Sequence, residues 1–197
     1  PELMKRILPI IVEKNIKVIT NGGGVNPIEC ANAVMKVAKE LGIRKLKIGV
    51  VLGDDIKDQI DDLIKSGAPL KNMETDEPIS TVQDKILSAN VYFGAFPIVE
   101  ALEKGADIII AGRTTDTGLT LAPMIYEFGW KNTDYDLLSA GTVAGHILEC
   151  GAQSSGGNFF FFFQSIPNMA EIGFPIAEAY PNGEVIITKH QNTGGRV

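Results

Sequence analysis

Ala106-Asp107-Ile108-Ile109-Ile110-Ala111-Gly112-Arg113-Thr114-Thr115-Asp116 is the stretch on which the fold turns. Its apolar run is short and rich in β-branched residues, which marks a strand buried on both faces. Gly112 to Asp116 is the outgoing loop, and a helix from Thr117 to Phe128 follows, closed by Gly129 and Trp130. Further toward the N-terminus, Ile16-Lys17-Val18-Ile19-Thr20 is a second short strand, ending in Asn21-Gly22-Gly23-Gly24. Asn26 and Pro27 then provide an N-cap and a first-turn proline. They open a helix with Cys30, Val34, Val37, Ala38 and Leu41 on one face, which Gly42 ends. Lys45 to Leu52 is the next strand, and Gly53-Asp54-Asp55 turns into a helix with Ile56, Ile60, Leu63 and Ile64 at helical spacing. The segment from Ser80 to Asn90 reads as a helix, Val91 to Gly94 as a short strand, and Pro97 starts a helix carrying Ile98, Val99 and Leu102. Strands alternating with helices predict an α/β fold, with a mainly parallel sheet covered by helices on both faces.

The C-terminal third has a different character. The longest periodic helix runs from Tyr135 to Gln153, with Ala140, Ala144, Ile147, Leu148 and Gly151 in one stripe. Ser154-Ser155-Gly156-Gly157-Asn158 breaks it. Ile176 to Ala179 and Glu184 to Thr188, joined across Pro181-Asn182-Gly183, predict a β-hairpin with glycine where positive φ is needed. The expected division is an α/β core over residues 1–155 and the start of a β-rich subdomain over 156–197. The chain opens on Pro1 inside a helical pattern and stops just after Gly194-Gly195, so the sequence reads as an internal piece of a longer protein.

Composition narrows the function. The 197 residues carry a net charge of -6, which argues against holding a polyanionic nucleic acid. Two cysteines, Cys30 and Cys150, are too few for a disulfide framework or a cysteine zinc site; they read as core thiols and make the cytoplasm the default compartment. With two histidines and no H-E-x-x-H, a histidine-rich zinc centre is not expected. No apolar run reaches the roughly 18–20 residues that span a bilayer, so no membrane is expected as partner. Phe159 to Phe163 is an unbroken aromatic run, read either as a strand between two layers or as the wall of a pocket for a hydrocarbon tail.

In open α/β sheets ligands gather outside the carboxyl ends of the strands. Three such ends carry unusual residues, and side-by-side strands would bring them to one crevice. Gly22, Gly23 and Gly24, between Asn21 and Asn26, let backbone amides approach a phosphate or carboxylate, or else only form a tight turn. Their spacing is neither a dinucleotide fingerprint nor a P-loop. Asp54 and Asp55 could hold a divalent metal, bind ligand hydroxyls or act as general base, or could simply cap a helix. Arg113 leaves a buried strand and needs a planar anion, supplied by a ligand carboxylate or by Asp116 in an internal ion pair. On the long helix Thr142, His146, Glu149 and Gln153 form a polar ridge, where His146 with Glu149 suits proton transfer, unless the ridge is only a solvated face.

Val18 to Pro27, Gly53-Asp54-Asp55, Ala89 to Ile98, Ala111 to Asp116, Glu127-Phe128-Gly129-Trp130, Ala140 to Gln153 and Gly173 to Glu178 together resemble one family. It is the acyclic terpene utilisation family of the AtuA type, and the similarity spans nearly the whole chain. Family members are longer at both ends, and the phenylalanine run departs from their more mixed sequence. The resemblance implies a role in breaking down branched acyclic terpenoids such as citronellol and geraniol, whose intermediates travel as coenzyme A thioesters.

The reading that joins residues and resemblance is an enzyme or catalytic subunit working by acid–base chemistry on a branched acyl-CoA or carboxylic acid. Asp54, His146 and Glu149 would move protons. Asn21, Gly22, Gly23, Gly24, Asn26, Asp55, Arg113, Asp116 and Gln153 would hold the substrate. Two alternatives stand beside it: a metabolite-binding or scaffolding subunit, as a homo-oligomer or with a second polypeptide, and a metal-dependent hydrolase using Asp54, Asp55 and Asp116.

Overall fold

The computed structural model describes residues 2–24, 26–158 and 163–197. The element order is α1 (Glu2–Glu13), β1 (Val18–Thr20), α2 (Pro27–Glu40), β2 (Ile48–Val51), α3 (Ile60–Lys65), α4 (Phe96–Glu103), β3 (Ile108–Ala111), α5 (Gly118–Phe128), α6 (Tyr135–Glu149), β4 (Pro175–Ala179) and β5 (Val185–Lys189). The first three strands form a parallel sheet in the order β1-β3-β2, and β4 and β5 an antiparallel hairpin.

β3 takes the centre because it alone is apolar on both faces. All four of its residues are buried, and period-2 alternation sends them to opposite sides. Ile108 and Ile110 join Leu8 of α1 and Val34, Val37 and Ala38 of α2. Ile109 and Ala111 join Ile98 and Leu102 of α4, Ile125 of α5 and Ala144 of α6. Each buried isoleucine contributes roughly 1.5–3 kcal/mol, against about 1 kcal/mol for a typical hydrogen bond. The apolar run, more than the ladder, fixes which strand is central.

Register sets the geometry of the rim. Val18 and Ile48 both pair with Ile108, and Thr20 and Val50 both pair with Ile110. The loops after β1, β2 and β3 therefore leave the same edge of the sheet. At the opposite edge Asp107 ties the strands together. Its carboxylate accepts from Lys17 Nζ at 3.0 Å and from the Lys47 amide at 2.9 Å.

Burial by itself raises the Asp107 carboxyl, but the Lys47 amide and the Lys17 ammonium outweigh it and hold the group below its ordinary value. A carboxyl depressed in the folded chain contributes stability above the unfolded value of about 3.9, and that stability is lost as pH falls through the folded value. Urea denaturation of Asp107→Asn should therefore show a midpoint below the parent's at neutral pH. The two midpoints should converge as pH falls through the folded value of the carboxyl. A gap of constant size over that range would mean that the carboxylate's charge contributes nothing.

Helix ends follow the sequence closely. Asn26 Oδ1 accepts from the Glu29 amide at 3.0 Å, and Gly42 and Gly129 adopt positive φ just past α2 and α5. Two elements expected from the sequence do not form. Residues 80–90 form no α-helix, only two short 3-10 turns, Ile79–Thr81 and Gln83–Lys85. Residues 91–94 form no strand of their own. The segment 89–93 is instead strung between the exits of β2 and β3: the Ile56 amide donates to Ala89 O, the Val91 amide to Asp54 O, and Phe93 exchanges bonds with Arg113 and Thr115. With both backbone edges taken by different partners, no regular ladder can propagate.

α6 is shorter than its periodicity suggests, ending at Glu149 before a 3-10 turn at Gly151–Gln153. Its contact stripe is set by glycine. A Cβ at Gly141 would stand 2.6 Å from Leu121 Cδ1, and one at Gly145 2.8 Å from the Thr117 carbonyl oxygen, so α6 sits almost backbone to backbone on α5. The hairpin pairs Ala179 with Val185 across a turn in which Gly183 has φ +85°. It docks on α6 and on Trp130, whose Nε1 donates to Pro181 O at 3.0 Å. The run Phe159–Phe162 lies outside the described residues.

Candidate functional site

A cleft of about 500 Å³ opens at the carboxyl rim, lined by Asn26, Leu52, Asp54, Asp55 and Asn90 among others. Each side chain arrives by a separate route. Asn26 is held by its capping role at the start of α2. Asp54 and Asp55 follow the Gly53 turn, where φ is +111°. Asn90 is set by the strung segment, through a bridge between Asp55 and Asn90.

Asp54 is the organising residue. It is only 5% exposed, and its Oδ2 accepts from Asn90 Nδ2 and from the Arg113 amide, both at 2.9 Å. It caps no helix. It joins the exits of β2 and β3 to the segment between them. Oδ1 lies directly over Gly112, where any Cβ would fall inside the carboxylate. Asp55 is exposed and turns its Oδ1 back to the Lys57 amide at 3.0 Å.

Ile28, Leu52 and Leu87 form apolar walls of the cleft although they are 51%, 51% and 90% exposed. Exposed aliphatics beside a fixed carboxylate give the cleft an apolar side and an acid side, the pattern of a small-molecule site.

The tri-glycine turn borders this cleft without opening into it. The Gly22 amide donates to Thr20 Oγ1 at 2.9 Å. The Gly24 amide bonds Asn21 O, and the Asn26 amide bonds Gly23 O. Gly23 is needed for close approach, since a Cβ there would stand 2.8 Å from Ile110 Cγ2 and from Pro27 Cα. These contacts account for the glycines as a tight turn.

Arg113 departs from expectation in its surroundings. Its guanidinium is exposed, and among the described residues no ion pair joins it to Asp116, which is itself exposed. Nη2 donates to the Tyr92 hydroxyl, and Cζ lies 4.8 Å from the Tyr92 ring centroid. That hydroxyl holds the guanidinium above its ordinary range; burial opposes this, and the Asp54 and Asp116 carboxylates reinforce it to a lesser degree.

The second group of candidates stands apart. Thr142, His146, Glu149 and Gln153 are all exposed. Thr142 turns its hydroxyl back to Leu138 O at 2.8 Å, and the Glu149 carboxylate accepts from Cys150 Sγ at 3.7 Å. His146 and Glu149 do not line the cleft, and Gln153 lines a different hollow with Asn158 and Arg196. Among the described residues no three His, Cys, Asp or Glu side chains gather to hold a metal ion, so Asp54, Asp55 and Asp116 do not form a ligand set. No helix among them is long and apolar enough to cross a membrane.

Two residues escaped the sequence reading: Asn90, which bonds Asp54, and Tyr92, which carries Arg113. Both lie in the block Ala89 to Ile98 that contributes to the family resemblance. Their local pattern predicted a helix end and a strand, not a strap, and so gave no reason to single them out. Comparison with known proteins adds one match: the family described as acyclic terpene utilisation family protein AtuA matches residues 1–197. No curated protein and no solved structure matches.

Proposed function

The chain belongs to the acyclic terpene utilisation family of the AtuA type, and from that premise we propose that it is an enzyme, or a catalytic subunit, that transfers a proton on a branched carboxylic acid or its coenzyme A thioester. The observation that carries this reading is the Asp54 carboxylate, 5% exposed and fixed by two N–H donors at the edge of an apolar-walled cleft. A general base works best when it is held in place and partly shielded from water. Ile28, Leu52 and Leu87 would take the hydrocarbon, and Arg113, whose amide holds Asp54 but whose side chain does not line the cleft, would anchor the acid end of a substrate that reaches past the cleft. Asp54 would remove a proton from the carbon next to the carbonyl of a β,γ-unsaturated acyl group and return it to the γ-carbon as the double bond moves into conjugation, in an isomerisation. In a hydration it would take the proton of the adding water. Asp55 and Asn26 would contact polar groups at the cleft mouth, while Asp116 adds to the field around Arg113.

The test is turnover of branched C10 acyl-CoA thioesters by the parent chain and by Asp54→Asn and His146→Ala variants. Asp54→Asn should lose at least a hundredfold. His146→Ala, altering a residue outside the cleft, should lose far less. Parental turnover in Asp54→Asn would overturn the assignment. Stoichiometric binding without turnover in the parent would favour a binding subunit.

A further inference from the structure

Tyr92 is placed by backbone pairing on both sides of its segment. Asn90 bonds Asp54 through its side chain, and Phe93 bridges to Thr114 and packs against the core cluster shared by α4 and α5. Successive residues of an extended segment point to opposite faces, so with Phe93 turned inward Tyr92 is turned outward, and it is 54% exposed.

The Tyr92–Arg113 pair has an unspent hydrogen-bonding capacity. The phenol oxygen accepts from Arg113 Nη2, which leaves the phenol's own O–H to donate elsewhere, and among the described residues it has no acceptor. Stacking on the ring spends none of the guanidinium's remaining N–H groups. The phenol O–H and the four remaining guanidinium N–H groups are thus presented side by side, and a phenol that accepts from a cation is polarised toward stronger donation.

We propose that the Tyr92 phenol and the Arg113 guanidinium form one oxyanion-binding unit, in which Tyr92 donates directly to the bound anion. This rests on the reading of Arg113 as the anchor of the acid end and adds Tyr92 as a second ligand contact. The chemistry it recognises is a carboxylate or a phosphate. The first would come from a branched acid and the second from the nucleotide part of a thioester.

The test is a nuclear magnetic resonance titration of the chain with isovalerate and, separately, with inorganic phosphate. Saturable binding of isovalerate alone would assign the acid as the source, and binding of phosphate the nucleotide. Tyr92→Phe keeps the ring beneath the guanidinium and removes only the hydroxyl, so affinity for the bound anion should fall about tenfold. The same substitution in an Arg113→Met background should still weaken binding severalfold if Tyr92 touches the anion. No added loss there would reduce Tyr92 to a support for Arg113 and overturn the proposal. Affinity within twofold of the parent in Tyr92→Phe, or no saturable binding of either anion, would also overturn it. Loss of turnover in Asp54→Asn would leave the proton-transfer reading standing in each of those cases.

Discussion

Gly112→Ala is expected to unfold well below the parent, by about 2–4 kcal/mol, which for a chain of this size corresponds to a melting temperature lower by about 5–15 °C. The requirement is steric, since Gly112 is not among the glycines of positive φ. The added methyl would occupy the space of the Asp54 carboxylate. Either β3's exit moves, breaking the 3.0 Å bond from the Gly112 amide to Val51 O, or Asp54 moves and loses the donors from Asn90 and Arg113. Overpacking costs roughly 1–3 kcal/mol, and a buried polar group left without its partner adds about as much again. Gly94→Ala is the matched control, because nothing lies within 4 Å of a Cβ built there; it should melt close to the parent. Thermal denaturation followed by circular dichroism decides it, and equal melting of the two variants would mean that the carboxylate does not press on β3.

Asp54 should separate into two roles under two substitutions. Asp54→Ala removes the acceptor of both N–H groups and leaves two part-buried donors unpaired, at a cost of about 2–4 kcal/mol. Asp54→Asn retains a carbonyl oxygen and a similar shape, so the strap between β2 and β3 should survive with a loss of about 1 kcal/mol. Its amide cannot accept a proton, however, and turnover should fall by about 10²–10⁴-fold. Denaturation and kinetics on the same pair of variants distinguish the strut from the base. If the two variants lose stability equally, the acceptor oxygen is not what holds the strap.

The elements that read clearly from sequence are those whose partners lie close along the chain. α2 was legible from Asn26-Pro27 to Gly42 because cap, proline and terminating glycine act within one or two turns. The hairpin was legible because Gly183 must supply positive φ whatever it packs on. Residues 89–93 failed for the opposite reason: their order comes from backbone bonds with Asp54, Ile56, Arg113 and Thr115, none of which the local pattern contains. The site divides along the same line. Asp54 was visible as an acidic residue after a strand, but its burial depends on Gly112, 58 positions away. The ridge through His146 has the correct spacing on α6 and still faces outward, because periodicity defines a polar face without saying what lies opposite it.

From the amino acids alone come the class of fold, the burial of the Ile108–Ile110 strand and the rim at which a ligand would be sought, since a doubly apolar strand can be satisfied only by cover on both faces. Tertiary structure alone decided which rim residues meet. Asp54 reached Asn90 and the Arg113 amide, Arg113 reached Tyr92, and the amides of Gly22, Gly24 and Asn26 bonded oxygens of Thr20, Asn21 and Gly23. Hydrophobic patterning acts through a property each residue carries wherever it goes, whereas a hydrogen bond needs two particular atoms within about 3 Å, and that coincidence exists only once distant segments have packed.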